Sequence, residues 1–241
     1  MNRRTRAWQL ALCAALPIAL PIALPMAART AGAQAHRADD TRNDAALTRI
    51  QATVARPDAM CGDFDQQKSL VGLKRPVQSS GRFCVLKERG VLWNTLKPFT
   101  STLRLSRAEI VESQGARVTS RLTASDEPTV AVISDLLFSV LGGDFGRLRS
   151  SFSIEASMEA SMEASLEASM EASTWRAKLT PRDAGLKRVI GTIELGGGEF
   201  VRQLIITEAS GDRTIIAFTG FAAGLSALRP EELRAFGTFR K

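Results

Sequence analysis

Residues 60–73 (MCGDFDQQKSLVGL), 79–90 (SSGRFCVLKERG), 90–98 (GVLWNTLKP) and 100–111 (TSTLRLSRAEIV) follow one another with only glycine, proline and short polar breaks between them. Runs of this length separated by turn residues read as consecutive antiparallel strands. The pattern returns in residues 174–183 (TWRAKLTPRD) and 188–221 (RVIGTIELGGGEFVRQLIITEASGDRTIIAFTGF), with turns predicted at Gly196 to Gly198 and at Gly211-Asp212. Between the two groups, residues 129–152 break the rhythm. Val130, Ile133, Leu136, Leu137, Val140 and Leu141 share one helical face, and Gly142-Gly143 ends it. A shorter amphipathic helix is predicted over residues 43–56, where Ala46, Leu47, Ile50 and Val54 recur at helical spacing and Pro57 follows. The predicted fold is mainly β with α: a mostly antiparallel sheet, one helix crossing or covering it, in a single domain of residues 34–241.

The preceding residues read as a secretory leader. MNRRTRAW carries three arginines, an apolar stretch runs from Leu10 to Ala28, and AGAQA supplies a small-residue cleavage pattern, placing the cut after Ala33. The alternative, an anchoring helix, is weakened by Pro17, Pro21 and Pro25, which interrupt the segment every four residues. Cys13 follows Leu12 rather than a small residue, which argues against lipoprotein acylation there. Cleavage removes four arginines and no acid, so the +7 of the whole chain falls to about +3. With no basic run interleaved with aromatics after residue 35, nucleic acid is excluded as a partner.

Two cysteines, Cys61 and Cys84, remain after such a cut, and an oxidising compartment permits them to pair. If their segments form a hairpin with GLKRP (72–76) near its turn, Cys61 faces Cys84. A redox-active pair would call for a C-x-x-C spacing, which is absent, so a structural disulfide is the better reading.

Residues 153–174, SIEASMEASMEASLEASMEAST, contain the unit [I/M/L]EAS five times. As a helix, a period of four turns the apolar stripe by ~40° per unit and sets Glu155 to Glu171 four apart without lysine. As a strand, Ile, Met, Leu and Ala share one face and Glu and Ser the other, but Ala and Glu are poor strand formers. The leader holds a second tandem tetrad, PIALPIALP (17–25), which points to repeat expansion in the gene. The repeat is therefore read as a tolerated loop insertion at residues 154–173, between a strand beginning near Phe152 and one containing Trp175. The functional rival is a solvated acidic helix that docks a basic partner.

Catalytic machinery is sparse. The one histidine, His36, sits near the amino terminus of the mature chain, and there is no tyrosine. Nucleophile-histidine chemistry has no base, and a zinc site lacks ligands. The pairs Asp63 with Asp65 and Glu231 with Glu232 lie in polar stretches and read as solvated faces. LGGDFG and LGGGEF lack the lysine and helix context of a phosphate loop. The inventory points to a binder without catalytic residues, metal or cofactor.

Residues 64–106 add a resemblance. F-x-Q at Phe64 and Gln66, S-G-x-F at Ser80 to Phe83, and W-x-x-x-x-P at Trp93 to Pro98 resemble the amino-terminal strands of LolA-like proteins, the periplasmic outer-membrane lipoprotein carriers. WRAKLTPRD resembles the family's strand ending in L-T-P, and ITEASGDRTIIAF its hairpin around an acidic turn; the similarity spans roughly residues 45–221. It implies an incomplete antiparallel β-barrel with a helical lid over a hydrophobic cavity that holds acyl chains without chemistry. By position it implies Phe64, Phe83, Trp93 and Phe99 as cavity or rim residues, and the helix of residues 130–141 as lid, which adds Ile133, Leu137 and Val140 to the lining. The chain departs from the family where an arginine precedes a proline in the second strand. LKERG stands there, leaving Lys87 or Arg89 as candidates for the lid latch.

The expectation is a monomeric periplasmic carrier of a diderm bacterium that takes lipoprotein acyl chains, or another lipid, from an inner-membrane export complex to an outer-membrane acceptor. The alternative is a periplasmic interaction or assembly accessory with a filled core and the acidic repeat as its docking element.

Overall fold

The structure, a computed structural model, describes residues 28–126, 129–158 and 174–237, with side chains described from residue 40 and, in the second helix, from residue 134. The leader up to residue 27 and repeat residues 159–173 lie outside the described residues. Two compact units divide the chain, Met1–Asp39 and Asp40–Lys241, and the second holds every strand.

Helix α1 (Ala28–Thr53) begins well before Asn43, the predicted start, and stops short of Arg56, the predicted end. Alanine-rich sequence carries the helix upstream. At the other end Pro57 disfavours helical geometry at Arg56, and the chain leaves the helix first. Ala46, Leu47, Ile50 and Val54 are all buried, the four positions that the helical spacing singles out.

Six strands come next in the chain: β1 (Ala59–Ser69), β2 (Val77–Leu86), β3 (Gly90–Lys97), β4 (Ser101–Leu105), β5 (Glu109–Gln114) and β6 (Arg117–Thr123). Helix α2 (Thr129–Gly142) and a 3-10 segment (Phe145–Ser150) lead to β7 (Phe152–Met158) and β8 (Trp175–Pro181). A four-residue helix α3 (Ala184–Lys187), strands β9 (Ile190–Gly197), β10 (Val201–Glu208) and β11 (Arg213–Ala223), a 3-10 turn (Leu225–Ala227) and helix α4 (Pro230–Gly237) follow. The sequence pattern assigns nothing to β6 or α4. Every side chain of β6 before Thr123 is exposed, so no alternation announces that strand. For α4 a signal exists: proline at the first position and Glu231 and Glu232 in the first turn.

All eleven strands form one antiparallel sheet in the order β6-β5-β4-β3-β2-β1-β11-β10-β9-β8-β7. It is two meanders joined through the β1–β11 pair, with β6 and β7 as its edges among the described residues, so the barrel is incomplete, as the resemblance implies. The chain must travel from one edge to the other between β6 and β7, and α2 and the 3-10 segment make that crossing. Antiparallel sheets bury one face and leave the other to solvent unless something covers it. Here the inner face carries the large core, with Phe64, Phe83, Phe152, Trp175, Leu179, Ile193 and Phe218 meeting Leu47, Ile50, Leu136, Val140 and Leu148. On the outer face a small second cluster forms from Ala59, Cys61, Cys84, Leu92, Leu228 and Phe236.

The β1–β2 register places Cys61 opposite Cys84 and keeps that offset from Ala59↔Leu86 to Lys68↔Val77. Two glycines in this hairpin face two phenylalanines, Gly62↔Phe83 and Phe64↔Gly81. A Cβ on Gly62 would stand 2.9 Å from the Phe83 ring, and one on Gly81 would stand 2.9 Å from the Phe64 ring and 2.0 Å from the Asn94 carbonyl oxygen. Each ring lies over the bare backbone of its glycine partner, a device that lets aromatics pack close to a sheet.

The repeat is not wholly a loop. Its first unit and the next methionine, Ile154 to Met158, belong to β7 and pair with β8, Ile154 opposite Leu179 and Met158 opposite Trp175. Ile154 is buried and Ala156 half-buried while Glu155 and Ser157 are exposed, the alternation expected of a strand. Weak intrinsic strand propensity is overridden because β8 supplies a partner whose own alternation matches. The free edge of β7 is partly closed by α1. Asn43 donates from Nδ2 to the Ile154 carbonyl at 2.9 Å, and its Oδ1 accepts the Ala156 N–H at 2.6 Å, so one side chain imitates a neighbouring strand.

Candidate functional site

The candidate site is the middle of the inner face, where β3, β2, β1 and β11 run side by side and α2 meets β2 and β3. Side chains alternate along a strand, so Phe83 and Val85 of β2 face inward while Arg82 and Cys84 face outward. Phe64 and Trp93 stack with ring centroids 3.9 Å apart. Phe83 meets Phe218 edge to face at 5.2 Å and Trp93 at 6.1 Å. Phe200 and Phe221, both half-buried, stack at 4.8 Å and extend the aromatic surface toward solvent. Aromatic pairs in these geometries contribute about 0.5–1.5 kcal/mol each beyond the area they bury.

Helix α2 covers this surface. It meets the 3-10 segment, β2 and β3, burying Leu136, Val140 and Leu141, while Leu137 and Phe138 pack half-buried against the same core. Two serines of α2 lie in the apolar contact. Ser134 Oγ donates to the Ser106 carbonyl at 2.9 Å. Ser139 Oγ is buried and has no hydrogen-bond partner among the described residues. A buried hydroxyl in that state costs about 1–3 kcal/mol.

Of the residues singled out in the sequence, Phe64, Phe83, Trp93, Leu137 and Val140 are brought together here. Ile133 lies in α2, but its side chain is outside the described residues. Phe99 does not belong to the site. It falls in the β3–β4 connection, past the last residue of β3, where no face of the sheet can cover it, and it is 78% exposed. Among the described residues the inner aromatics pack against one another. Two clefts lie elsewhere, each lined by polar and apolar groups together. One of about 490 Å³ is lined by Gln66, Gln78, Ser80 and Lys97 among others, and one of about 340 Å³ by Arg82, Asn94, Thr102 and Glu232 among others.

The latch candidates point elsewhere. Lys87 and Arg89 lie in the β2–β3 turn, and among the described residues neither side chain is bonded to α2. Lys87 donates from Nζ to Asp58 Oδ1 at 2.9 Å, and its backbone N–H reaches the Asp58 carbonyl at 2.8 Å. The hydrogen bond and the charge of Asp58 hold the exposed Lys87 ammonium above its ordinary pKa. This pair ties the end of β2 to the segment just before β1.

The outer face carries the disulfide that the cysteine spacing anticipates and an ion pair that sequence reasoning missed. Cys61 and Cys84 are joined in a disulfide, their Cα atoms 4.0 Å apart, beneath Leu228 and Phe236. Beside them Glu232 of α4 accepts Arg82 Nε at 2.9 Å on one oxygen and the Arg229 N–H at 2.8 Å on the other, and Arg82 Nη2 donates to the Ala227 carbonyl at 2.8 Å. Glu232 lies within 4.8 Å of both sulfurs, but the disulfide leaves neither as a thiolate ligand for a metal ion. In the sequence Glu232 reads as a solvated carboxylate; only its place on the buried face of a docked helix reveals its role.

No family model matches the chain, and no curated protein does. Among solved structures it is similar to a LolA superfamily protein of Nitrosomonas europaea at 10% identity and a TM-score of 0.42, covering 83% of this chain and 98% of that one. A DUF1329 family protein of Desulfovibrio piger aligns at 9% identity and a TM-score of 0.41, over 78% of this chain and 93% of that one. MucB aligns at 16% identity and a TM-score of 0.37, over 80% of this chain and 62% of that one. These likenesses are of fold alone.

Proposed function

We propose that the protein is a non-catalytic carrier that takes the acyl chains of lipoproteins, or of a related amphiphile, against the inner face of its sheet, in the periplasm and after removal of residues 1–33. The observation that carries this reading is the continuous aromatic surface of Phe64, Phe83, Trp93 and Phe218, covered by α1, α2 and the 3-10 segment rather than by a second sheet. Loading exchanges α2 for the ligand. Re-exposing Leu136, Val140 and Leu141 costs about 6 kcal/mol in total, whereas burying about fourteen methylenes of an acyl chain contributes about 11 kcal/mol. The resemblance in residues 45–221 supports the same reading and supplies its direction, from an inner-membrane export complex to an outer-membrane acceptor.

Native mass spectrometry of protein purified without detergent, followed by organic extraction of any adduct, tests the proposal directly. A saturated acyl series gives a quantitative check: each added methylene is expected to lower Kd about fourfold, the equivalent of ~0.8 kcal/mol. Affinity independent of chain length would remove the carrier reading.

The filled inner face favours a second reading, an interaction or assembly accessory that uses the acidic repeat for docking. Deletion of residues 160–171, three whole tetrads, separates the two. It keeps Met158 opposite Trp175 and leaves four residues to close the β7–β8 hairpin. On the carrier reading acyl binding is unchanged and thermal stability stays level or rises, since two halvings of the loop favour folding by about 1 kcal/mol. Loss of a partner from pull-downs, with acyl binding absent from the parent chain, would favour the accessory.

A further inference from the structure

At one end of the sheet, two neighbouring loops present apolar side chains to solvent. The β1–β2 connection carries Val71 and Leu73, with Val77 at its far side, and the β3–β4 connection carries Phe99, with Leu96 just before it. All five are exposed, Val71 to 71% and Phe99 to 78%. The loops share an end because β1, β2 and β3 run antiparallel in turn, and Lys97 pairs with Ser80 only three residues from the start of β2. The first loop is held in place: the Leu73 N–H bonds to the Leu70 carbonyl at 3.0 Å across a turn with Gly72 at φ 90°, and the Val71 N–H bonds to Asp212 Oδ1 at 2.8 Å.

Cations are interleaved with these tips. Lys74 and Arg75 follow Leu73, and Lys97 lies between Leu96 and Phe99; all three are exposed and form no ion pair among the described residues. Of the acids at this end, Asp212 accepts the Val71 N–H, Glu208 pairs with Lys68 at 2.9 Å, and Asp65 lines the same cleft as Lys97, fewer than the cations Lys68, Lys74, Arg75 and Lys97. The rim therefore offers net positive charge beside projecting apolar tips. A protein partner calls for a flat, contiguous patch of several hundred square ångströms. Separate tips flanked by lysine and arginine match instead the headgroup boundary of an anionic bilayer, where apolar side chains enter shallowly and cations meet lipid phosphate.

We propose that this rim, built on Leu73 and Phe99 with Lys74, Arg75 and Lys97, docks the protein on the surface of an anionic lipid membrane. The proposal goes beyond the carrier reading and does not depend on it.

The test is co-flotation of the full chain with phosphatidylcholine vesicles, with and without a third phosphatidylglycerol, at low and high salt. Flotation is expected with the anionic vesicles and to weaken with salt. The double variant Leu73→Asp with Phe99→Asp is expected to lower partitioning at least about tenfold, and the triple variant Lys74→Glu, Arg75→Glu, Lys97→Glu at least as much, since each cation near an anionic surface is worth roughly fivefold. Because parent and variants share the same leader, any difference reports the rim. Circular dichroism should be unchanged in both, the residues being exposed. Equal flotation of parent and variants would overturn the proposal. So would no flotation at either charge, which would assign the rim to a protein acceptor. Acyl binding measured on the same samples should be unaffected by the rim variants; its absence throughout, with flotation intact, would end the carrier reading and leave this one standing.

Discussion

Glu232→Ala is expected to lower the free energy of unfolding by about 3 kcal/mol, because it strands a buried charge rather than removing a contact. The Glu232 side chain is 4% exposed and that of Arg82 17%. Without the carboxylate, Arg82 keeps only the Ala227 carbonyl among its described bonds and the Arg229 N–H at the start of α4 loses its acceptor. Glu232→Gln, which retains size and an acceptor, should lose roughly half as much, since a hydrogen bond to a charged partner contributes about 1.5–3 kcal/mol. Replacing both partners by hydrophobes, as in Arg82→Met with Glu232→Leu, should be milder than either single loss. Urea titration of each variant measures these differences. A Glu232→Ala midpoint indistinguishable from the parent would mean that this ion pair does not hold α4 to the sheet.

The second large effect is expected from the disulfide. The bond closes a loop with a sequence separation of 23, for which the chain-entropy account gives about 3 kcal/mol. Cys61→Ala with Cys84→Ala should show that loss in urea titration, and the parent chain under dithiothreitol should approach the same midpoint. A midpoint unmoved by reductant would show that the two thiols are not bonded in the folded protein. The cysteines lie in one cluster with Phe236 of α4, the helix that carries Glu232. Their losses should therefore not add: the combined variant is expected to fall short of the sum by at least about 0.5 kcal/mol, the usual scale of coupling between neighbours. Acyl affinity should be unchanged in all these variants where they remain folded, because every substituted side chain lies on the outer face.

The amino-acid sequence by itself determined what depends on short range. Apolar spacing of 3.6 placed Leu47, Ile50 and Val54 on the buried side of α1 and Leu136, Val140 and Leu141 on that of α2. Turn residues bounded β9, β10 and β11 closely, and the cysteine spacing gave the β1–β2 register. The strands flanking the repeat were placed at Phe152 and Trp175, where β7 and β8 begin. The resembling motifs also have a local cause, since S-G-x-F puts Gly81 beneath Phe64 and sets Phe83 over Gly62.

Only the tertiary structure decided which face each element joins and what closes each edge. Phe64 and Phe99 are alike as letters; one is buried in the core and stacked on Trp93, and the other is left at a loop tip. Glu231 and Glu232 are adjacent and chemically identical, yet one is solvated and the other is buried against Arg82, because a helix that docks on a sheet turns successive residues about 100° apart. The β1–β11 pairing that joins the two meanders, and the Asn43 amide that closes part of β7, unite residues more than a hundred positions apart. Such contacts leave no local period in the chain, because the free energy that selects them is realised only when the whole sheet buries its inner face.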